Sequence, residues 1–291
     1  MADPAPFTVI IPAHNEEAVI GRCLTTILSN AREGFEFQII VAANGCSDRT
    51  VEIARATAPQ ALVLDLPEGS KTRAMNAAHR KALHYPLIFL DADIQCDFIS
   101  LAAVAQALRE PGVLVAAPAL KMDLSRSNSL VKSYYRVWLS QPYATDAIVG
   151  SGCFGLSEAA YRRIGDFPDI IGDDIWVHSQ FERAERRSVC QDLAGRPVKF
   201  VVSPPRRVVD QIRVETRRRR GNEQLRSAFP GLNYAGSNRP GDLRDALKAG
   251  ATLADIAIYL AVKAAAGVRA SLADLSGKTI VWERDTRARE T

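Results

Sequence analysis

The N-terminal third of the chain alternates short apolar runs with segments of helical periodicity, and this alternation restricts the fold more than any other feature. Each apolar run is typical of a strand that is buried on both faces. The four predicted strands are residues 7–11, 37–42, 61–64 and 86–90. The order strand, helix, strand therefore predicts an α/β fold with a mainly parallel central sheet flanked by helices.

Polar residues follow each of the four predicted strands. They form four loops at residues 12–17, 43–48, 68–71 and 91–93. In open parallel sheets, ligands bind beyond the carboxyl ends of the strands. We therefore expect the four loops to line a single crevice.

Beyond about residue 110 the alternation is less regular. Strands are predicted at residues 113–117 and 198–202, and helices at residues 127–139, 175–187 and 211–226. From residue 241 the chain is rich in alanine and is predicted to be helical as far as Trp282. The expected architecture is an α/β domain with a C-terminal helical extension.

Asp91 and Asp93 directly follow the fourth predicted strand, where both carboxylates can point into one site. Mg²⁺ and Mn²⁺ prefer such oxygen ligands, and one or two carboxylates are usually completed by substrate phosphates and water. The alternative is a solvated turn. Because three other polar loops lie opposite, the metal site is favoured.

The charge of the chain is modest overall but locally concentrated. The net charge is +4, whereas seven arginines cluster late in the sequence at positions 206, 207, 213 and 217–220. Such a cluster is suited to an anion, which can be a diphosphate, a nucleic-acid backbone or an anionic membrane surface. Charge alone leaves these three alternatives open.

The cysteines and the chain start predict a cytoplasmic protein. Five cysteines include no CxxC pair, and their odd number disfavours a secreted disulfide framework. Residues 1–7 carry acid and proline where a signal peptide would have basic residues and an apolar core.

The most apolar late stretch, residues 256–268, is interrupted by Lys263 and is shorter than the roughly 20 residues that span a bilayer. No transmembrane helix is predicted from it. Its mixture of apolar and basic residues instead predicts an amphipathic helix over residues 253–272. Such a helix would contact a partner subunit, the inner face of a membrane, or the core of the same chain.

Four segments, in this order, carry a family resemblance: FTVIIPAHNEE, IIVAANGCSDRT, EGSKTRAMNAA and LIFLDAD. Together they resemble the donor-binding half of family 2 glycosyltransferases, which have the GT-A fold. The match is strong over residues 7–97 and weaker through residues 150–154, residues 172–174 and the segment QIRVETRRRRGN. The resemblance implies a metal-dependent, inverting enzyme that moves a sugar from a nucleoside-diphosphate sugar to an acceptor hydroxyl, in polysaccharide or glycolipid synthesis.

The resemblance also implies which residues bind the donor. The base and ribose would be held by Pro12, Ala13, Asn15 and Glu17. Asn44 stands where many members have an acidic contact to the base, and Lys71 would reach a base carbonyl or a phosphate. The donor is expected to be a UDP-sugar, with a GDP-sugar as the alternative.

Metal and diphosphate ligands follow from the same resemblance. Asp93 would ligate Mn²⁺ or Mg²⁺, and Asp91 would contact the ribose or a metal-bound water. Many relatives have a histidine ligand near the basic segment, where Asp210 is the nearest candidate here. Arg217 and Arg220 would bind the diphosphate from a mobile basic loop.

Asp173 and Asp174 match the acidic motif whose second member is commonly the general base. Asp174 would therefore be the base and Asp173 its supporting neighbour. Acids at a helix start also complement the helix dipole without any catalytic role. By the same resemblance, residues 1–110 would form the donor-binding half, residues 111–230 the acceptor-binding and catalytic half, and residues 231–291 the helical extension.

Rival functions have weaker support. A sugar nucleotidyltransferase would have a Gly-rich loop followed by an arginine after the first strand, and a dehydrogenase would have GxGxxG there. The arginine run 217–220 lacks interleaved aromatics for stacking, so no nucleic-acid partner is expected. The absence of a QxxRW pattern disfavours processive polymer synthesis.

The acceptor is expected to be a carbohydrate or a lipid-linked molecule. Peripheral contact with a membrane and a homo-oligomer both stay open.

Overall fold

The computed structural model describes residues 6–31, 36–141, 144, 152–232 and 243–275. Two parts of the sequence-based predictions, residues 150–151 and the helix from 276 to Trp282, lie outside these residues.

Nine strands of the described chain form a sheet: β1 Phe7–Ala13, β2 Phe37–Asn44, β3 Leu62–Leu66, β4 Leu87–Leu90, β5 Gln95–Cys96, β6 Val115–Met122, β7 Cys153–Leu156, β8 Arg186–Val189 and β9 Lys199–Val202. Their order is β3-β2-β1-β4-β7-β6-β9-β5, with β8 beside β6. β1 to β4 are mutually parallel, as predicted, and β7 pairs antiparallel with β4.

The described helices flank this sheet or extend beyond it. They are α1 Ile20–Leu28, α2 Thr50–Thr57, α3 Lys71–His79, α4 Phe98–Ala107, α5 Ser129–Trp138, α6 Glu158–Ile164, α7 Asp173–Ser179, α8 Val208–Ala228, α9 Leu243–Lys248 and α10 Leu253–Leu275. The α/β class with a mainly parallel centre and C-terminal helices is confirmed.

The side chains of β1 explain why the sheet is covered on both faces. Val9 and Ile11 pack in one buried cluster with residues of α1 and α4, whereas Ile10 packs in a second cluster with α3 and α7. Successive side chains of a strand point to opposite faces. A strand that is apolar at every position must therefore be buried between two layers of helices.

A third cluster joins the C-terminal helices to the rest of the fold. Tyr134 and Trp138 of α5 pack there with Tyr259 and Val262 of α10, and the rings of Tyr134 and Tyr259 stack at 5.3 Å. α10 also contacts α8 along its length. This arrangement holds α8 against α5 and α10.

The predicted helix over residues 175–187 was wrong in its second half. α7 ends at Ser179, a short 3₁₀ turn covers Arg183–Glu185, and Arg186–Val189 form β8. The 3₁₀ turn is stabilised by reciprocal hydrogen bonds between Glu182 and Glu185, which end the helical course of the chain. Parallel pairing of β8 with β6 then outweighs the local helical pattern.

The C-terminal region is two helices rather than one. Gly250, with φ of 91°, lies between α9 and α10, and this left-handed conformation favours glycine. α10 is longer than the apolar run seen in the sequence. By length and composition alone its 22 residues Leu253–Asp274 are sufficient to cross a membrane, and 22% of the most apolar window is buried in the fold. The sequence-based argument that the stretch is too short was therefore wrong about its length.

Candidate active site

The loop after β1 is joined to the loop after β2 by side-chain hydrogen bonds. Asn15 has φ of 50°, and its Oδ1 accepts a hydrogen bond of 2.6 Å from the Ser47 backbone N–H. His14 Nδ1 donates to the carbonyl oxygen of Asn44, which fixes the tautomer of the ring. Glu17 accepts from the backbone N–H of Arg49 at 3.1 Å, next to the start of α2. Asn15 and Glu17 thus brace the two loops.

Two neighbouring cavities open at the carboxyl ends of the parallel strands. The smaller cavity, of about 130 Å³, is lined by residues of the loops after β1 to β4 and by one residue of α8: Pro12, His14, Glu16, Asn44, Gly69, Ser70, Lys71, Asp91, Ala92, Asp93 and Arg217. The expected convergence of the four loops is therefore present.

The larger cavity, of about 250 Å³, lies between these loops, α7 and α8. Its polar lining includes four carboxylates, one ammonium and two guanidinium groups: Asp91, Asp93, Asp173, Asp174, Lys71, Arg217 and Arg218. Its apolar lining includes Leu120, Met122, Trp138, Ile175, Val202, Pro204 and Val214. The lining of this cavity thus combines charged groups with an extensive apolar part.

Charged side chains line both cavities at their junction. They are Lys71, Asp91, Asp93 and Arg217. Any ligand that extends from one cavity into the other must pass these groups. A molecule that carries phosphates, with a cation between its oxygens and the carboxylates, matches the mixed charge of this junction.

Lys71 is held between two carboxylates. Its Nζ lies 2.8 Å from Asp91 Oδ1 and 3.0 Å from Asp173 Oδ2. Ser70 caps α3, which makes Lys71 the first residue of that helix, where the dipole disfavours a cation. Burial alone would lower the pKa of Lys71, but the charges of Asp173, Asp91 and Asp174 raise it above its ordinary value. Lys71 is therefore a fixed positive charge.

Burial raises the pKa of both partners of Lys71. For Asp91, the effect of burial is opposed by Lys71 and reinforced by the charges of Asp173 and Asp93. For Asp173, which is 2% exposed, Lys71 opposes burial and Asp174 reinforces it. Burial is the larger cause for both carboxylates, and a bound cation would relieve the smaller contribution, which is repulsion from the neighbouring aspartates.

Gly152 allows Asp91 to take this position. Its carbonyl oxygen accepts from the Asp91 backbone N–H at 2.8 Å. With φ of 81°, and with Asp91 Oδ2 only 2.8 Å from where a Cβ would lie, the site excludes any larger residue. β7 begins at the next residue and pairs with β4, so this strand pair aligns Gly152 with Asp91.

Asp173 and Asp174 open α7 but lie in different environments. Both line the larger cavity, but Asp173 is buried against Lys71, whereas Asp174 is partly exposed. Asp174 Oδ1 accepts from the Ile175 backbone N–H at 2.8 Å. Of the two carboxylates, Asp174 has the better access to a molecule in the larger cavity.

α8 presents two arginines to the crevice and turns others away from it. Arg217 and Arg218 line the larger cavity, and Glu215 holds Arg218 through a contact of 2.7 Å. Arg220 instead pairs with Asp274 of α10 at 3.1 Å and lines neither cavity. The expected mobile loop at this place is a helix in the described chain.

The structure does not bring Asp210 to the junction of the two cavities. Asp210 lies in the first turn of α8, is 3% exposed and pairs with Arg213 at 2.6 Å. An acid in the first turn complements the helix dipole, and a base three residues later completes the ion pair. Asp210 as a metal ligand thus remains a prediction without a geometric basis here.

Some lining residues were missed by reasoning from the sequence. His14, Glu16, Trp138, Arg218 and Asn222 line the cavities but are not among the residues predicted individually as ligands. A helical pattern could have revealed part of this set. The residues of α8 that line the larger cavity are three or four positions apart, as on one face of a helix. They are Val214, Arg217, Arg218, Gly221 and Asn222.

Asp91 and Asp93 can form part of a binding site for a divalent cation. Within the described residues, no group of three or more His, Cys, Asp or Glu side chains has a metal-binding arrangement. Mg²⁺ is usually bound by one or two carboxylates together with substrate phosphates and water. The junction of the two cavities supplies two such carboxylates, so its metal site would be completed by a phosphorylated ligand.

Comparison with known proteins gives one family. The family model described as Glycosyl transferase family 2 matches residues 8–163, which is more than half of the chain. Glycosyltransferase AglE from Haloferax volcanii is 33% identical over 99 residues, which make up 32% of this chain and 32% of AglE. The matched segment thus spans about a third of the length of that curated relative.

Solved structures share the fold. Mannosyltransferase PcManGT from Pyrobaculum calidifontis, in complex with GDP-Man and Mn²⁺, has a TM-score of 0.59 at 20% identity, over 94% of this chain and 88% of that chain. Glucosyl-3-phosphoglycerate synthase from Mycobacterium tuberculosis, in complex with Mn²⁺, UDP-glucose and glycerol 3-phosphate, has a TM-score of 0.54 at 18% identity, over 76% and 79%. The architecture is the GT-A fold.

Proposed function

The chain belongs to glycosyl transferase family 2, and from this premise we propose that it transfers a sugar, with inversion, from a nucleoside-diphosphate sugar to an acceptor hydroxyl. The observation that carries the proposal is the junction of the two cavities. Lys71, Asp91, Asp93 and Arg217 line both of them, so a diphosphate there would lie between a nucleotide on one side and an acceptor on the other.

In this proposal the smaller cavity takes the nucleotide. Pro12, Asn44 and Lys71 line it and were predicted from the sequence as donor ligands. Ala13, Asn15 and Glu17 would act by shaping the same loops. A UDP-sugar is the first candidate and a GDP-sugar the second, and the relatives PcManGT and glucosyl-3-phosphoglycerate synthase are described with GDP-Man and UDP-glucose respectively.

Asp93 and Asp91 would hold Mn²⁺ or Mg²⁺ together with the diphosphate. When bound, this ion supplies positive charge that stabilises the departing nucleoside diphosphate. Arg217 and Arg218 add guanidinium donors that suit phosphate oxygens. Arg220 would act indirectly through its contact with α10, because it lines neither cavity.

Asp174 would accept the proton of the acceptor hydroxyl. As that oxygen bonds to the anomeric carbon, the bond from this carbon to the diphosphate oxygen breaks, and the electron pair leaves with the diphosphate. A single displacement of this kind inverts the configuration. Asp173, fixed by Lys71, would position the start of α7 and with it the carboxylate of Asp174.

We further propose a cytoplasmic enzyme of polysaccharide or glycolipid synthesis, with a carbohydrate or a lipid-linked acceptor. Residues 1–110 would bind the donor, residues 111–230 would bind the acceptor and carry the base, and residues 231–291 would form an extension. The apolar part of the lining of the larger cavity, which includes Trp138 and Met122, favours an acceptor that is not wholly polar.

Two carboxamide variants test the mechanism. Asp174→Asn keeps the shape of the side chain and removes the proton acceptor, so turnover should fall by about 10²-fold or more while donor affinity is retained. Asp173→Asn is the matched control, and its turnover should fall less. Calorimetry with a panel of nucleotide sugars measures affinity, and product formation measures turnover. A larger loss for Asp173→Asn would move the base role to Asp173, and normal turnover in both would remove the motif from the mechanism.

A further inference from the structure

α10 has an unusual distribution of charge around its axis. Between Leu253 and Leu272 the exposed positions hold leucine, valine, alanine and one serine: Leu253, Ala254, Ala257, Leu260, Ala261, Ala264, Val268, Ser271 and Leu272. None of these described positions is charged. A helix that faces water normally presents its charged residues outward.

Two charged residues of α10 make ion pairs with the helices on which it packs. Asp255 pairs with Arg136 of α5 at 2.7 Å, and Lys263 pairs with Glu215 of α8 at 2.6 Å. Asp255 also exchanges hydrogen bonds with Thr252 in the manner of a capping box, which fixes the start of the helix. The inward face of α10 is therefore held on α5 and α8 by apolar packing of Tyr259 and Val262 and by these two ion pairs, while its outward face between Leu253 and Leu272 is also apolar.

The outward apolar stripe is long. Its four largest side chains, Leu253, Leu260, Val268 and Leu272, are 75%, 48%, 62% and 61% exposed. At 1.5 Å per residue the stripe extends about 29 Å along the helix axis. A contiguous apolar surface of this size on a folded protein marks an interaction site more often than a solvent-facing surface.

The charges beside the stripe are arranged so that the positive ends reach the solvent. In the two pairs that hold α10, the carboxylates of Asp255 and Glu215 are 3% and 4% exposed, whereas Arg136 and Lys263 are 50% and 36% exposed. Lys132 is exposed one turn before Arg136 on α5. In both pairs the partner that reaches the solvent is therefore the base, and the exposed carboxylate of Asp274, paired with Arg220, lies just beyond the C-terminal end of the stripe.

We propose that the outward face of α10 docks onto an anionic lipid surface, with the helix lying in the plane of the interface. An apolar stripe bordered by Lys and Arg has the chemistry that such a surface recognises, because acyl chains accept the leucines and phosphate headgroups attract the bases.

The other occupants of this face are less compatible with its charge. A second copy related by a two-fold axis would bring the same basic border against itself, and like charges would oppose the contact. A helix that crosses the bilayer would have to release Asp255 and Lys263 from their partners into hydrocarbon, which is costly. Docking in the interface leaves both ion pairs intact.

Vesicle flotation with the full chain tests the proposal, and it needs neither donor nor acceptor. The wild-type protein should float with vesicles of phosphatidylcholine and phosphatidylglycerol, and more weakly with phosphatidylcholine alone. Leu260→Glu combined with Val268→Glu should lower the partition coefficient by about tenfold or more. The variant lacks two apolar side chains that the wild type would bury among the acyl chains. Leu193→Glu, at a 90% exposed position between β8 and β9, is the matched control and should bind like the wild type.

A second variant tests the role of charge. Lys132→Glu should weaken binding to the anionic vesicles about fivefold and leave binding to the neutral vesicles unchanged. Melting temperatures of all variants establish that each is folded. Flotation that is absent in the wild type, or unaffected by the double variant, would overturn the proposal. A dimer by light scattering that the double variant converts to a monomer would assign the face to a second copy instead.

Discussion

The two walls of the crevice are built in different ways. One wall consists of the loops after β1 to β4, where Asp91 and Asp93 follow a buried strand directly. The other wall is α8, whose charged side chains are arranged by contacts with α5 and α10. In the first wall the position of a residue in the sequence determines its position in the site. In the second wall it does not.

This difference predicts a large contrast between two aspartates that the sequence identifies as metal ligands. Asp93→Ala should abolish activity and remove the stimulation by Mn²⁺, because Asp93 would no longer hold the cation that stabilises the departing diphosphate. Asp210→Asn should retain the metal dependence, because Asp210 pairs with Arg213 away from both cavities. Turnover titrated with Mn²⁺ measures both variants. Full turnover of the wild type in EDTA would contradict the metal role, and a loss of metal dependence in Asp210→Asn would place Asp210 at the junction.

The sequence predicts the first wall well for a physical reason. A parallel strand ends at the edge of the sheet where ligands bind, so Asp91, Asp93 and the loop that carries Lys71 could be placed there from local pattern alone. Inside the loop after β1 the roles of Asn15 and Glu17 as donor ligands stay predictions. Asn15 takes a left-handed conformation there, and His14 and Glu16 line the cavity instead of Asn15 and Glu17. The sequence pattern alone does not show which side chains of this loop line the cavity and which bond to the neighbouring loop.

On the second wall the helix itself was predicted, but not its rotation. Residues 211–226 are helical as expected, yet Arg218 rather than Arg220 faces the crevice. The rotation of α8 follows from Gln211 and Glu215, which hydrogen bond to Tyr135 and Tyr134 of α5. These partners are more than 75 residues away in the chain. The same dependence on distant partners explains why β8 was mistaken for helix.

A comparison of two arginines of α8 sharpens this point. Arg217→Gln should weaken donor binding by about tenfold or more, because one guanidinium contact to phosphate is lost at the junction. Arg220→Gln removes the same charge from the chain and should change donor affinity much less, because Arg220 pairs with Asp274. Calorimetry with the donor and Mn²⁺ compares the two variants. Equal losses would mean that the net charge of α8, rather than the position of each arginine, determines donor binding.

Glu215 connects the second wall to α10, and its effect should appear in stability more than in turnover. It is 4% exposed and contacts Arg218 at 2.7 Å and Lys263 at 2.6 Å. Burial alone would raise the pKa of Glu215, but Arg218 and Lys263 lower it to about 2. Burial lowers the pKa of Lys263, which reduces the net contribution of the pair. The pair is therefore stabilising by less than the pKa of Glu215 alone implies.

The sign of the pH dependence follows from the lowered pKa of Glu215. An unfolded glutamate has a pKa of about 4.3, so the folded state binds the proton less readily than the unfolded state. The stabilisation from Glu215 is thus fully present above pH 4.3, and it is lost as the pH falls towards 2. At neutral pH, Glu215→Gln should lower the free energy of unfolding by at most roughly 3 kcal/mol. Near pH 3 the difference from the wild type should be smaller.

Denaturant unfolding of the wild type and Glu215→Gln at both pH values measures this change. Leu193→Glu provides a control at an exposed position outside the cluster. If the difference in unfolding free energy is the same at pH 7 and pH 3, the charge of Glu215 is not what stabilises the cluster. A difference that shrinks with pH, together with an increase in the KM for the donor of only a few fold, would mean that Glu215 holds Arg218 and α10 in place. The second wall would then depend on a buried ion cluster in the way that the first depends on the ends of its strands.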